Sequence, residues 1–198
     1  MKVAAKAQWD PSAQVKAPSP PPAVAIIAPK SCGFDVQKTL SLNSGFEFSQ
    51  SNTHVVCPNG PVNLFTDALV GPGLSCTVAY VSFQWKGNGC WSVGVIPETE
   101  ARNNGYLKIQ CSSSGAVGRN NWSLGCDLPK LPMPENETIT MLVHAAQRKW
   151  YVLVPGQPLV VQDIPASQFP LRLAFCGYKG ATFQLMPGDI PPAIKSLL

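Results

Sequence analysis

The chain predicts an all-β domain, a sandwich or barrel of short strands, and three observations carry that expectation. From Cys32 onward, strand-like runs alternate with turn signals at spacings of roughly 8–15 residues. No apolar pattern keeps a 3.6-residue period over a dozen residues, so helix should stay under about 10%. Twenty prolines and 16 glycines against 13% charged residues suit many tight turns and few long solvated helices. With 198 residues, 45% of them hydrophobic, the chain can bury one sizeable core.

Residues 1–30 read as a flexible, disordered Pro/Ala-rich tail or linker. They hold six prolines and few large apolar side chains, too little to offset ordering entropy. Within them, Pro18-Ser19-Pro20-Pro21 has the PxxP spacing that SH3-type grooves accept, although an extended spacer is the simpler role. Residues 23–28 are apolar enough to dock as an edge strand. Residues 31–190 should form the domain and 191–198 a C-terminal tail. Strands are expected over 38–42, 46–49, 54–57, 62–66, 75–85, 91–96, 106–111, 122–124, 138–145, 150–154, 159–162, 171–176 and 182–186.

At the centre, Ala79, Val81, Phe83 and Trp85 alternate with Ser82 and Gln84, and Trp91, Val93 and Val95 alternate with Ser92 and Gly94. The connecting Lys86-Gly87-Asn88-Gly89 accepts positive φ, so the two arms read as a β-hairpin. Trp91, Val93 and Val95 are expected inside and Gln84 outside. Further on, Gln147-Arg148-Lys149 and Pro155-Gly156-Gln157-Pro158 mark turns, which makes 138–161 a three-stranded antiparallel meander.

This order of motifs resembles the SPRY domain family. The residues concerned are the aromatic strand and Gly-rich turn, Trp91-Ser92-Val93-Gly94-Val95, the 139–143 strand, Trp150-Tyr151-Val152-Leu153-Val154-Pro155-Gly156, Phe169-Pro170-Leu171-Arg172-Leu173-Ala174-Phe175, and Phe183-Gln184-Leu185. The resemblance spans residues 40–187, and Trp91 to Val95 is its most specific part. It implies a bent sandwich of two antiparallel sheets, no catalysis, and recognition of short peptide or protein segments by loops at one rim. Where family members often carry Asp in the late hairpin, this chain has Ala145-Ala146-Gln147-Arg148, so no individual binding residue is carried over.

Charge excludes some partners. The net charge is +4, but Lys2, Lys6, Lys16 and Lys30 against Asp10 place +3 of it in residues 1–30, which leaves +1 for the body. A nearly neutral body gives no general attraction to nucleic acid or acidic lipid. No run approaches the roughly 20 apolar residues of a membrane span, and the start lacks a secretory apolar core, so a cytoplasmic chain is expected. The odd number of cysteines, seven, and the absence of CxxC spacing fit reduced thiols. Asn121-Trp122-Ser123 and Asn136-Glu137-Thr138 match the glycosylation pattern, but no entry signal accompanies them.

Catalytic constellations do not form in the sequence. His54 and His144 are far apart, His54 with Cys57 makes a single pair where zinc needs about four ligands, and the nucleophile-elbow and phosphate-loop motifs are missing. Glu98 and Glu100 share one side of an extended chain, as paired acids might, yet a solvated loop opposite Arg102 explains them. No enzyme activity, cofactor or metal is therefore expected. Recognition is placed in the Asn- and Gly-rich loops that present amphipathic rings and adaptable polar groups: Asn103, Tyr106, Arg119, Asn120, Trp122, Tyr178 and Lys179. The expected function is a non-enzymatic interaction module that binds a peptide or protein partner through one rim, as a component of a larger assembly. A lectin-like carbohydrate-binding sandwich using the same rims is the alternative.

Overall fold

The computed structural model describes residues 28–59, 62–87, 91–101, 107, 109–112, 117–119, 133–177 and 180–198. Among them the elements run β1 (Lys30–Ser31), α1 (Val36–Leu42), β2 (Glu47–Ser49), β3 (His54–Val56), β4 (Val62–Phe65), β5 (Val78–Lys86), β6 (Trp91–Pro97), β7 (Ile109–Ser112), β8 (Val117–Arg119), β9 (Ile139–His144), β10 (Lys149–Leu153), β11 (Val160–Asp163), β12 (Leu171–Gly177), β13 (Thr182–Leu185) and α2 (Pro192–Lys195). They form an all-β sandwich. One sheet has the order β11-β10-β9-β5-β13-β3-β2, with β1 added in parallel against β5, and the other has the order β4-β12-β6-β7-β8.

Alternation builds the interior. Ala79, Val81 and Phe83 of β5, Ile139, Met141 and Val143 of β9, and Trp150 and Val152 of β10 point inward from the larger sheet. Val93 and Val95 of β6 and Leu171, Leu173 and Phe175 of β12 answer from the smaller one. At the centre, Phe175 meets Phe83 and Phe183, both on the opposite sheet, with ring centroids 5.0 Å apart in each pair. Full burial of such rings contributes roughly 1.5–3 kcal/mol each, so this aromatic contact helps tie the two layers together. Gly177 is dictated by space: a Cβ there would overlap Cys57 Sγ.

Most expected strands are present, and the meander over 138–161 is β9-β10-β11 in antiparallel register. The central hairpin is not. β5 pairs with β9, β13 and β1, whereas β6 pairs with β12 and β7 in the other sheet, so the chain crosses the sandwich between them. Gly87 does take positive φ, +120°. A turn of this kind allows either a hairpin or an arch, and both arms expose one apolar face. The arch buries both faces in a single core, which a flat hairpin cannot do. Val93 and Val95 are buried and Gln84 is half-buried on the other face of β5, donating through Nε2 to Thr138 Oγ1 at 3.2 Å.

The expected strand 38–42 is instead helix α1. Asp35 caps it, accepting from Lys38 N at 2.9 Å, and Asn43 N donates to Thr39 O to close it. β8 was not anticipated. The tail expectation for 1–27, the strand expected over 122–124, and most of the edge strand expected over 23–28 lie outside the described residues. Residues 191–198, expected as a tail, include α2, whose Ile194 is fully buried.

Candidate functional site

The registers of the smaller sheet define its two ends. Leu171 pairs with Pro97, Val95 with Ile109, and Ile109 with Arg119, which puts all of these toward one end. Gly177 pairs with Trp91 and with Val62, and Ser92 with Ser112, which marks the other. From the level of Val95 to that of Trp91 is four residues along β6, roughly 13 Å at strand rise.

The first end carries a charged cluster. Arg172 alternates outward on β12 between the inward Leu171 and Leu173. Its Nε donates to Glu98 Oε2 at 2.7 Å and its Nη1 to Asp35 Oδ2 at 3.2 Å and to the buried Thr66 carbonyl at 2.9 Å. Lys38 of α1 donates to the other oxygen of Glu98 at 2.7 Å and stands over the Phe65 ring. Burial pushes the Glu98 carboxyl up, but hydrogen bonds from Arg172 and Lys38 outweigh it and hold the group below its ordinary range. Glu98 is thus no solvated loop residue. Two acids and two bases close on one another in a neutral cluster, whose work is to fix α1, β4 and β12 behind this end of the sheet.

The remaining reactive groups are quiet. Burial pushes the Cys32 and Cys57 thiols up to about 12 and Cys176 to about 11, so all three are protonated near neutral pH and poor nucleophiles. Cys32, Cys57, Cys76 and Cys176 are free thiols. His144 Nδ1 accepts from Gln147 N, and burial lowers its pKa. Ser49 Oγ lies 3.0 Å from His54 Nδ1, a cross-strand pair in which no carboxylate among the described residues orients the ring as a triad would. Among the described residues no three His, Cys, Asp or Glu side chains are grouped to hold a metal ion.

Of the residues expected to recognise a partner, Asn103, Tyr106, Asn120, Trp122, Tyr178 and Lys179 lie outside the described residues, and Arg119 is described through its backbone as the last residue of β8. Arg119 stands at the first end of the sheet, while Gly177, which precedes Tyr178 in sequence, stands at the second. Sequence reading missed the Arg172 cluster. Its signal was an arginine alternating outward inside an otherwise apolar strand, but its partners at 35, 38 and 98 are distant in sequence.

No family model matches the chain, and no curated relative matches it. Solved structures do. The PSpry domain of TRIM65 matches with a TM-score of 0.57 at 15% identity, covering 80% of this chain and 93% of that one. The SPRY domain of human HERC1 matches with a TM-score of 0.57 at 15% identity, covering 80% of this chain and all of that one. Stonustoxin matches with a TM-score of 0.54 at 9% identity over 78% of this chain and 27% of its own. The fold is that of SPRY domains. No helix among the described residues is long and apolar enough to cross a membrane.

Proposed function

We propose that the chain is a non-enzymatic protein-interaction module that binds a peptide or protein segment through its connecting loops, as one component of a larger assembly. The SPRY fold, shared with domains carried by TRIM65 and HERC1, supports the reading at the level of the fold. The observation that carries it is the commitment of the strands to packing. Phe83, Phe175 and Phe183 are fully buried, the cluster around Arg172 is closed, and the buried thiols are protonated, so variable chemistry is left to the connecting loops. In this reading residues 31–190 are the binding domain, residues 1–30 a tether, and Asn103, Tyr106, Arg119, Asn120, Trp122, Tyr178 and Lys179 the candidates for partner contact, in the cytoplasm. The test is affinity purification of the full chain from its native cell with mass spectrometry, run beside a glycan array. A protein recovered in stoichiometric amount by a chain that leaves the array blank supports the proposal. Glycan binding without a co-purifying protein contradicts it.

A further inference from the structure

Of the sheet edges, β4 and β2 are finished and β11 is open. β4 is covered by α1: Asp35 N donates to Phe65 O at 2.8 Å and Phe65 N to Thr39 Oγ1 at 3.2 Å. β2 holds three residues and is followed by Gln50, Ser51 and Asn52, all at positive φ, which turns the chain out of an extended line. β11 has neither device. Ile164 N donates to Arg148 O, and bonded pairs alternate along an antiparallel ladder, so Gln162 and Val160 are the residues that bond β10. Val161 and Asp163 therefore aim their N–H and C=O groups outward, where no described residue meets them. Their side chains are open as well: Val161 is 41% exposed and the Asp163 side chain 77%, paired with Lys149 at 3.1 Å. An uncovered edge that contains no lysine or proline is a template for one more strand.

The registers show what can reach it. Lys30 pairs with Ala79, Ala79 with Val143, Val143 with Trp150 and Trp150 with Gln162, so β1 and β11 share a rung four strand spacings apart, about 19 Å. A strand added outside β11 lies about 24 Å from Lys30. Because β1 runs parallel to β5, the chain before Lys30 leaves the sheet at the end where β11 finishes with Asp163. Residues 23–28 adjoin β1 and are too close to span the gap. Residues 12–17, Ser-Ala-Gln-Val-Lys-Ala, are the next proline-free run, and the Pro-rich residues 18–29 reach about 37 Å when extended. A run arriving from the Asp163 end lies parallel to β11, which sets the Lys16 cation nearest the outward Asp163 carboxylate and Gln14 nearest Val161.

We propose that residues 12–17 dock in cis as a parallel edge strand on β11, bonding the outward main-chain groups of Val161 and Asp163, with Lys16 against Asp163. The placement does not depend on what the connecting loops bind. It ties the Pro-rich arm down a second time and closes the open edge to other chains.

Amide hydrogen exchange read residue by residue tests it, on the full chain, a chain that starts at residue 18, and the charge reversals Lys16→Glu, Asp163→Lys and the two combined. Expected is exchange at Val161 and Asp163 at least about tenfold slower in the full chain than in the shortened one, with β9 and β10 amides alike in both. Each reversal alone should lose about threefold of that protection, the size of an exposed ion pair, and the combined pair should regain it. Equal exchange in the full and shortened chains overturns the proposal. So does protection that grows with protein concentration, which would put a second copy on the edge, and so do reversals without effect, which would remove Lys16 from Asp163.

Discussion

α1 and the C-terminal segment both cover the sandwich, and they are fastened by opposite means. At the β4 edge, Asp35 N donates to Phe65 O, Phe65 N donates to the buried Thr39 Oγ1, and the buried Asn43 amide donates to Asn63 O. The edge strand is thereby satisfied by a helix lying beside it, which removes a site for unwanted pairing, and the Arg172 cluster locks the arrangement from outside. On the larger sheet, residues 188–198 bring apolar side chains and receive two side-chain hydrogen bonds. A cover that satisfies main-chain groups must trade those hydrogen bonds for water, as well as expose its apolar surface, when it leaves. A cover that only shields apolar surface can leave at the cost of that surface alone.

The largest expected effect falls on the first cover. Arg172→Met removes the partner of two carboxylates and leaves the Thr66 carbonyl without its donor. Because the cluster is partly exposed, urea denaturation should report a loss of about 2–3 kcal/mol, below the toll of a fully buried pair. Thr39→Val keeps the shape but strands the Phe65 N–H, and should cost about 1–2 kcal/mol. Ile194→Ala sharpens the contrast. An isoleucine fully buried in a core loses about 2–5 kcal/mol on truncation, but here the loss is capped by the docking free energy of the segment, so about 1 kcal/mol is expected. A loss of core size would erase the distinction between the two covers.

A smaller effect concerns acid. Glu98 has its pKa held below the ordinary value of 4.5, so its pairing stabilises the fold above that value and is lost as pH falls through the lower folded one. Hydrogen exchange at α1 and β4 should therefore quicken as pH drops below about 4.5, after correction for intrinsic rates, with little change at 188–198. Glu98→Gln should flatten that dependence. An identical acid response at both covers would place its origin elsewhere.

Much of this architecture could be read from sequence because period-two alternation is a local signal. Ala79, Val81 and Phe83 announce the inner face of β5, and the turns at 147–149 and 155–158 announce the meander. Pairing is not local, so the Gly-rich connection after Lys86 could not reveal that β5 and β6 join different sheets. α1 escaped notice because seven residues hold too few turns for a helical period to emerge, and its true signals are single residues, the Asp35 cap and the Asn43 stop. The cover over 188–198 escaped for a similar reason: Ile190, Ile194 and Leu197 are spaced for a helix face that two prolines interrupt. The loops are different in kind: composition named their candidates, and the strand registers set Arg119 and Gly177 at opposite ends of the smaller sheet.

Whether binding lies in those loops, apart from the packed strands, is tested most directly by one paired measurement on an Arg119→Ala, Tyr178→Ala chain: unfolding free energy and Kd for the best co-purifying partner. The expected result is stability within about 1 kcal/mol of the unmodified chain and affinity weaker by at least about tenfold. Unchanged affinity in that chain, with binding lost instead on deleting residues 1–30, would contradict the rim assignment and move recognition to the Pro-rich arm.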